Sequence, residues 1–469
     1  MDSEIYLLFN MAAMGRTSGQ SGLSIKMTQR DIKSSAATKV LGLFYGWKLV
    51  GLTLLVTALA GGPVWNGVGV WVKALEMHFG WSRTQLTGAF SMAQLEGSLI
   101  GPLMGYLIDK LGPRRMVFIG FLITGFGFIL FSQTTHIVTF YVSYAFIMLG
   151  TAAGTWLPMM AVINRWFNRM KGRAMAVAGE GSFLGGLLLV PALAWAVNPA
   201  QHGWSTTAMW IGIVFLAVGW PLSRLIRERP ENYGQRPDGD SATETSKLRE
   251  EGFSVDSTSL DSGPEFTARQ AIRTSAFWFI TFGHALSSML IATLTVHMVP
   301  MLTDQGLSLQ TAAYVWSVLM AVGAVFQLIG GYVGDRVPKN LAIFGFTALQ
   351  AVGFLMAAFI DNLTMAVLFA VVYGAGFGGR VPLTTAIRGD YFGKGAFATI
   401  TGISMAPLYM FMVIAPLFAA AMFDARGSYT LAFLILGGIG SLSGVLFLFA
   451  KKPQFSPSHQ QVPLEPGQD

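Results

Sequence analysis

Four ionisable side chains stand inside long apolar runs of the sequence: Glu96, Glu180, His284 and Arg380. Charge in hydrocarbon is costly, so such residues face a cavity or one another and by default mark a route for a solute or a proton. Arg380 is the sharpest of them. A guanidinium offers a rigid fork of donors suited to a carboxylate, and it keeps its charge at any working pH. Its setting, Gly374-Ala375-Gly376-Phe377-Gly378-Gly379-Arg380-Val381-Pro382, gives a backbone that packs closely beside the charge. Two uses stay open: Arg380 anchors a substrate anion, or it closes a gate by pairing with Glu180 at a comparable depth.

Glu96 and Glu180 are proton-carrier candidates, because a carboxylate that alternates between dry and Arg-lined surroundings takes up and releases a proton. Glu96 serves equally as a polar helix contact, with Gln94 and Ser98 close by in sequence. His284 either donates to a substrate oxygen and exchanges protons near neutral pH, or bonds a neighbouring helix as a neutral ring. Tyr144, Trp156, Asn66, Tyr314 and Tyr409 are candidates for the wall of a binding cavity. Tyr409 follows Ala406-Pro407, where a missing backbone donor interrupts a helix.

The elements that must hold these residues follow from composition. The 469 residues are 53% hydrophobic and only 12% charged, with 55 glycines and 24 methionines. Charge this sparse cannot cover a water-soluble body, so most of the chain faces lipid or other membrane helices. Crossing a hydrocarbon layer takes about 20 apolar residues. Twelve stretches meet that need, at about 43–65, 85–107, 116–134, 138–162, 174–197, 207–226, 275–298, 311–333, 341–360, 364–387, 397–421 and 428–450. The strict alternation of a membrane β-barrel is absent. The expected fold is an all-α polytopic membrane protein, with lobes at 43–226 and 275–450.

Basic residues are retained on the cytoplasmic side of a membrane. Placing the N-terminus inside leaves three bases on short outer loops, Lys73, Arg83 and Arg426. Eleven then fall on short inner loops: Lys110, Arg114, Arg115, Arg165, Arg169, Lys171, Arg173, Arg336, Lys339, Arg388 and Lys394. Both termini are therefore expected in the cytoplasm, with 1–42 and 451–469 as tails. The net charge of +7 is read as topology, and bases scattered over loops do not form a nucleic-acid stripe. Between the lobes, 227–274 reads as a cytoplasmic linker; its middle, 231–265, has nine acids and few apolar residues to offset ordering entropy.

The two halves repeat one another. Gly105-Tyr106-Leu107-Ile108-Asp109-Lys110 returns as Gly331-Tyr332-Val333-Gly334-Asp335-Arg336, and Trp156-Leu157-Pro158 parallels Arg380-Val381-Pro382. Duplicated lobes about a central site are the architecture of alternating-access carriers. Across roughly 43–450 the chain resembles the major facilitator superfamily, whose G-x-x-x-D-R/K-x-G-x-R-R/K signature is matched by Gly105, Asp109, Lys110, Gly112, Arg114 and Arg115. The resemblance implies twelve helices in two six-helix lobes and a gate. In that gate Gly105 lets helix ends approach, while Asp109 and Arg114, with Asp335 and Arg336 of the weaker second copy, hold the inner side shut.

More narrowly, Tyr45-Gly46-Trp47 and Trp166-Phe167…Lys171-Gly172-Arg173-Ala174…Ala178-Gly179 are similar to motifs of bacterial monocarboxylate and oxalate/formate carriers. That resemblance implies a secondary carrier without a cofactor, moving a small organic anion such as a monocarboxylate with a proton, as a monomer in a bacterial inner membrane. The basic residue which that family usually places in span eight has no counterpart here, since Tyr314 to Ile329 contains neither Lys nor Arg. A carrier of a larger amphiphilic or cationic solute, with Glu96 or Glu180 attracting the cation, is the other reading. Enzyme chemistry finds no footing: there is no cysteine, no phosphate-cradling glycine loop, and no spacing that suits a metal or a nucleophile with its base.

Overall fold

A computed structural model of the protein describes residues 44–168, 170–239, 266–393 and 396–453. The expected tail 1–42, the acidic middle of the linker from 240 to 265, Arg169, Lys394, Gly395 and residues 454–469 lie outside the described residues. Among those described, the regular structure is entirely helical.

Twelve helical spans follow one another. Span one is Tyr45–Ala60, continued through a π turn at Gly61–Asn66 into Val68–Phe79. Spans two and three are Arg83–Leu111 and Pro113–Ser132, and span four is Ile137–Gly154 with Trp156–Trp166. Span five runs Lys171–Leu184, a π turn Gly185–Leu189 and Val190–Ala196, and span six is Gly203–Leu225. The second half has Ser275–Asp304, Leu309–Gly334, Lys339–Met356, Leu363–Phe392, Phe397–Arg426 and Thr430–Phe449 as spans seven to twelve. Eleven of these spans are long and apolar enough to cross a membrane. Span two is long enough at 29 residues but more polar, carrying Gln94, Glu96, Asp109 and Lys110.

Helix ends are written in the sequence. Span two begins at a capping box, in which Ser82 Oγ accepts from the Gln85 amide while Gln85 Oε1 accepts from the Ser82 amide. Asn362 caps span ten through the Met365 amide at 2.9 Å, and Gly427 closes span eleven at φ 69°. The chain crosses back and forth, so one end of the bundle carries the start of span one, the 227–274 connection and the end of span twelve. We call this the linker face and the opposite end the far face.

Helices with apolar surface all round are held by close approach instead of by a single buried stripe. Spans eight and ten meet so tightly that a Cβ on Gly378 would lie 2.0 Å from the Gly323 carbonyl oxygen. Gly330 meets the Gly379 carbonyl oxygen at 2.1 Å in the same way. Replacing Gly378 with Val forces these backbones apart, an overpacking cost of about 1–3 kcal/mol or more. A lower melting temperature of the detergent-solubilised protein checks this, and an unchanged one would mean that the two helices do not touch there.

The two lobes meet chiefly towards the far face. Span seven packs on Val68–Phe79, span eleven on span two, and span eight on the second part of span five. The π turns of spans one and five also touch, where a Cβ on Gly62 would reach 2.4 Å from Leu189 Cβ. These turns bend the two spans beside the central cavity.

Candidate functional site

Between the lobes lies a cavity of about 550 Å³. Span one contributes Thr57 and Trp65, span two Gln94, and span four Thr151, Thr155 and Trp156; across from them stand His284 and Ser288, Phe377, Arg380 and Thr384, and Tyr409. Span four breaks at Thr155, immediately before Trp156-Leu157-Pro158, which turns the half-exposed Trp156 ring into the space.

Arg380 is 2% exposed and is held by the second lobe itself. Its Nε donates to Gln350 Oε1 at 2.6 Å and its Nη2 to the Ser287 carbonyl at 3.2 Å. Gln350 is fixed in turn, donating to the Ser287 carbonyl at 3.1 Å and to Tyr373 Oη at 2.8 Å. Two of five guanidinium N–H donors are spent in this way, and Arg380 also lines the cavity. No carboxylate of a described residue pairs with Arg380. The helix continues to Phe392, so Arg380 stands twelve residues, roughly 18 Å of helical rise, from the linker-face end. That is deeper than the expected edge at 387 implied.

The longer helix also corrects Arg388, expected on an inner loop. It is 1% exposed within span ten, two turns from Arg380 on the same side, with Thr384 between them. Its Nη1 donates to the Thr384 carbonyl at 2.6 Å and its Nη2 lies 3.0 Å from His284 Nδ1. A guanidinium only donates, so Nδ1 accepts and the imidazole carries its hydrogen on Nε2. His284 is thereby a neutral donor at the cavity wall.

The Arg380–Glu180 pair, expected as a gate only when the cavity opens to the other side, is not present in this arrangement. Glu180 accepts a 2.7 Å hydrogen bond from Gln327 Nε2 of span eight, while Arg380 is drawn into its own lobe by Gln350 and Ser287. Glu96 is half-buried on span two and does not line the cavity. Among the described residues no Asp or Glu does. Three other candidates stand elsewhere. Tyr144 packs into a small apolar pocket of the first lobe with Phe128, Phe131 and Phe140. Asn66 Nδ2 donates to the carbonyls of Gly61 and Ser182 at 2.8 and 3.2 Å, tying span one to span five. Tyr314 is 56% exposed on the outside of span eight.

The signature loops are also disengaged. A Cβ on Gly105 would meet nothing within 4 Å, so no close helix approach is made there. Asp109 and Asp335 are exposed, and Arg336 folds back over the Tyr332 ring at 3.5 Å. The lobes are instead locked at the far face, by a network in which Lys73 and Arg83 read in the sequence only as loop charges and the acids are not singled out there. Buried Arg83 reaches Glu76 through Nε at 2.9 Å and Asp304 through Nη1 at 2.6 Å, donates to Tyr429 Oη at 2.8 Å, and lies 3.7 Å over the Phe423 ring. Lys73 bridges Glu76 and Asp304, each at 3.1 Å, and the Asp424 carboxylate accepts the Arg83 and Thr84 amides. With the far side sealed and the signature loops apart, the cavity faces the linker side.

Sequence reasoning missed Arg388, Gln350, Gln94 and Gln327. The spacing Arg380, Thr384, Arg388 at successive turns of one helix was an available signal; for the glutamines, amides inside apolar runs were the only one.

Two bundled lobes around a central cavity, closed on one face by an ion-pair network, are the architecture of a membrane carrier. The chain belongs to the major facilitator superfamily: the sequence profile of the Major Facilitator Superfamily matches residues 53–359 and 282–466. It is a multi-pass membrane transporter and not an enzyme. Among its relatives, monocarboxylate transporter 12 of Rattus norvegicus is 24% identical over 423 residues, covering 87% of this chain and 85% of that protein. Monocarboxylate transporter 11 of Homo sapiens is 24% identical, with 88% and 84% covered. Monocarboxylate transporter 13 of Bos taurus is 25% identical, with 86% and 88% covered. Among solved structures, a D-xylose-proton symporter superposes with a TM-score of 0.68 at 14% identity, over 87% of this chain and 99% of that one. A bacterial homolog of the human lysosomal transporter Spinster, inward-facing and unoccupied, gives 0.63 at 17% identity, over 86% and 95%. These likenesses establish the fold.

Proposed function

We propose that the protein carries a small organic anion, a monocarboxylate, across the plasma membrane of a bacterial cell together with a proton, by alternating access of the central cavity. The observation that carries this reading is Arg380: a buried cation at the cavity wall with donors to spare and no acidic partner among the described residues. An unbalanced buried charge is unfavourable, and a carboxylate that enters the cavity relieves it. His284 Nε2–H supplies a second donor, and Trp156, Phe377 and Tyr409 supply apolar walls for a short carbon chain. The relatives named as monocarboxylate transporters support the same substrate class.

The linker face is cytoplasmic in this reading. Moving Arg388 into span ten leaves ten bases against three, still a firm asymmetry. The proton travels on Glu180, whose hydrogen bond to Gln327 joins the lobes and must break and reform as they rock. A cationic substrate, the other reading, is disfavoured by a wall with Arg380 and without a carboxylate among the described residues.

Uptake of labelled monocarboxylates into proteoliposomes, driven by an inward proton gradient, tests the function. Wild-type protein accumulates the acid, with organic cations failing to compete. Glu180→Gln retains exchange of internal for external carboxylate but loses pH-driven accumulation. Competition by cations and indifference to carboxylates would refute the substrate class, and undiminished accumulation in Glu180→Gln would refute the proton route.

A further inference from the structure

A second cavity, of about 760 Å³, lies on the linker face of the first lobe, away from the central one. Lys110, Arg114, Arg115, Arg165, Arg224 and Arg229 surround it, against two carboxylates, Asp109 and Glu228. Neither acid forms an ion pair with these bases. Glu228 instead faces the start of span three, accepting the Arg114 amide at 3.3 Å. Six bases against two acids give this space a net positive charge, which attracts an anion.

The far wall of that space is fixed by aromatic contacts. Arg227 lies 3.9 Å over the Tyr45 ring and 4.4 Å over Tyr233, and its carbonyl accepts from Trp166 Nε1 at 2.8 Å. The segment after span six is thus strapped to the lobe, which carries Arg229, Asn232 and Tyr233 to the cavity. On the side towards the bilayer, Trp220 and Leu225 are 56% and 53% exposed, and Arg224 stacks over Trp220 at 5.0 Å. Exposed indole beside bases at the end of a span marks the headgroup level of a membrane.

We propose that this cavity binds a phosphoryl group, carried by an anionic phospholipid headgroup or by a soluble phosphate compound. Arginine forks match phosphate oxygens bidentately. The cavity's place at headgroup height gives lipid direct access, while its opening on the linker face admits a soluble ligand. Bound phosphate draws the span two to three loop, the end of span four and the segment after span six into one unit. The site is independent of the central cavity, so its failure would leave the transport reading untouched.

The test uses the full chain in nanodiscs of phosphatidylcholine, with either phosphatidylglycerol in the bilayer or pyrophosphate in solution, and reads the melting temperature. A rise of several degrees in one arm supports the site and identifies the source. Arg165→Gln with Arg229→Gln abolishes that rise, Arg165→Lys with Arg229→Lys reduces it while keeping the charge, and Lys451→Gln with Lys452→Gln, on bases at the other end of the chain, retains it. No rise in either arm, a rise that survives the glutamine pair, or one lost equally in the Lys451 and Lys452 control overturns the proposal.

Discussion

Replacing Arg380 with Gln lowers carboxylate transport by about 100-fold or more in kcat/KM, the loss of a desolvated charged contact worth roughly 3 kcal/mol. The same change leaves the melting temperature unchanged or raises it. That second outcome separates an anion anchor from a structural ion pair. Removing one partner of a buried pair strands the other charge and destabilises by about 3–5 kcal/mol, whereas Arg380 has no charged partner among the described residues to strand. Gln350 loses a donor, a smaller effect that the new amide can partly replace. Arg380→Lys keeps the charge but not the fork, and falls between wild type and Gln. Transport at the wild-type rate in Arg380→Gln, or a melting temperature lowered as if a pair had been broken, would refute the assignment.

Replacing Arg83 with Gln opens the far face. Arg83 is 1% exposed and gathers Glu76 from the first lobe with Asp304 and Tyr429 from the second. Its removal leaves Glu76 and Asp304 sharing Lys73 alone and takes a charge-assisted hydrogen bond from each, at a cost of about 1.5–3 kcal/mol to the closed arrangement. Opening the far side lets those carboxylates reach water, so the two-state balance moves by roughly one to two orders of magnitude. The chain has no cysteine, so a thiol introduced as Val299→Cys is its only one. Val299 is 2% exposed and lies against Gly69 across the lobe boundary, so that thiol is protected from a polar maleimide while the lock holds. With Arg83→Gln added, its labelling accelerates and transport slows. Equal labelling with and without Arg83 would show that the network does not hold the lobes.

How far the sequence reached depended on whether charge or geometry carried the signal. Eleven of the twelve spans follow from apolar runs alone, because length against bilayer thickness leaves little freedom, and span two is the more polar exception. Their ends were less legible. Span ten runs to Phe392, beyond the expected 387, because Arg388 is tolerated inside the helix by Thr384 and His284. A base near the end of an apolar run looks the same whether it leaves the helix or turns inward.

Facing was harder still. A helix bounded by lipid and other helices has apolar residues on every side, so no stripe shows that Tyr409 borders the cavity while Tyr314 points away. Glu180 and Arg380 stood at matching depths, but depth does not set azimuth. Glu180 meets span eight, and Arg380 turns into its own lobe. The far-face lock was hidden for another reason: Glu76, Arg83, Asp304 and Asp424 come from four separate segments, and no spacing in a single stretch brings them together.

The anion site is tested most directly by locating a bromine-substituted monocarboxylate in crystals of the wild-type protein by its anomalous signal. The carboxylate is predicted in the central cavity, within hydrogen-bonding distance of the Arg380 guanidinium and His284 Nε2, with the bromine-bearing chain against Trp156 or Tyr409. A saturating ligand bound elsewhere, or a cavity occupied with Arg380 still making only its contacts to Gln350 and Ser287, would contradict it.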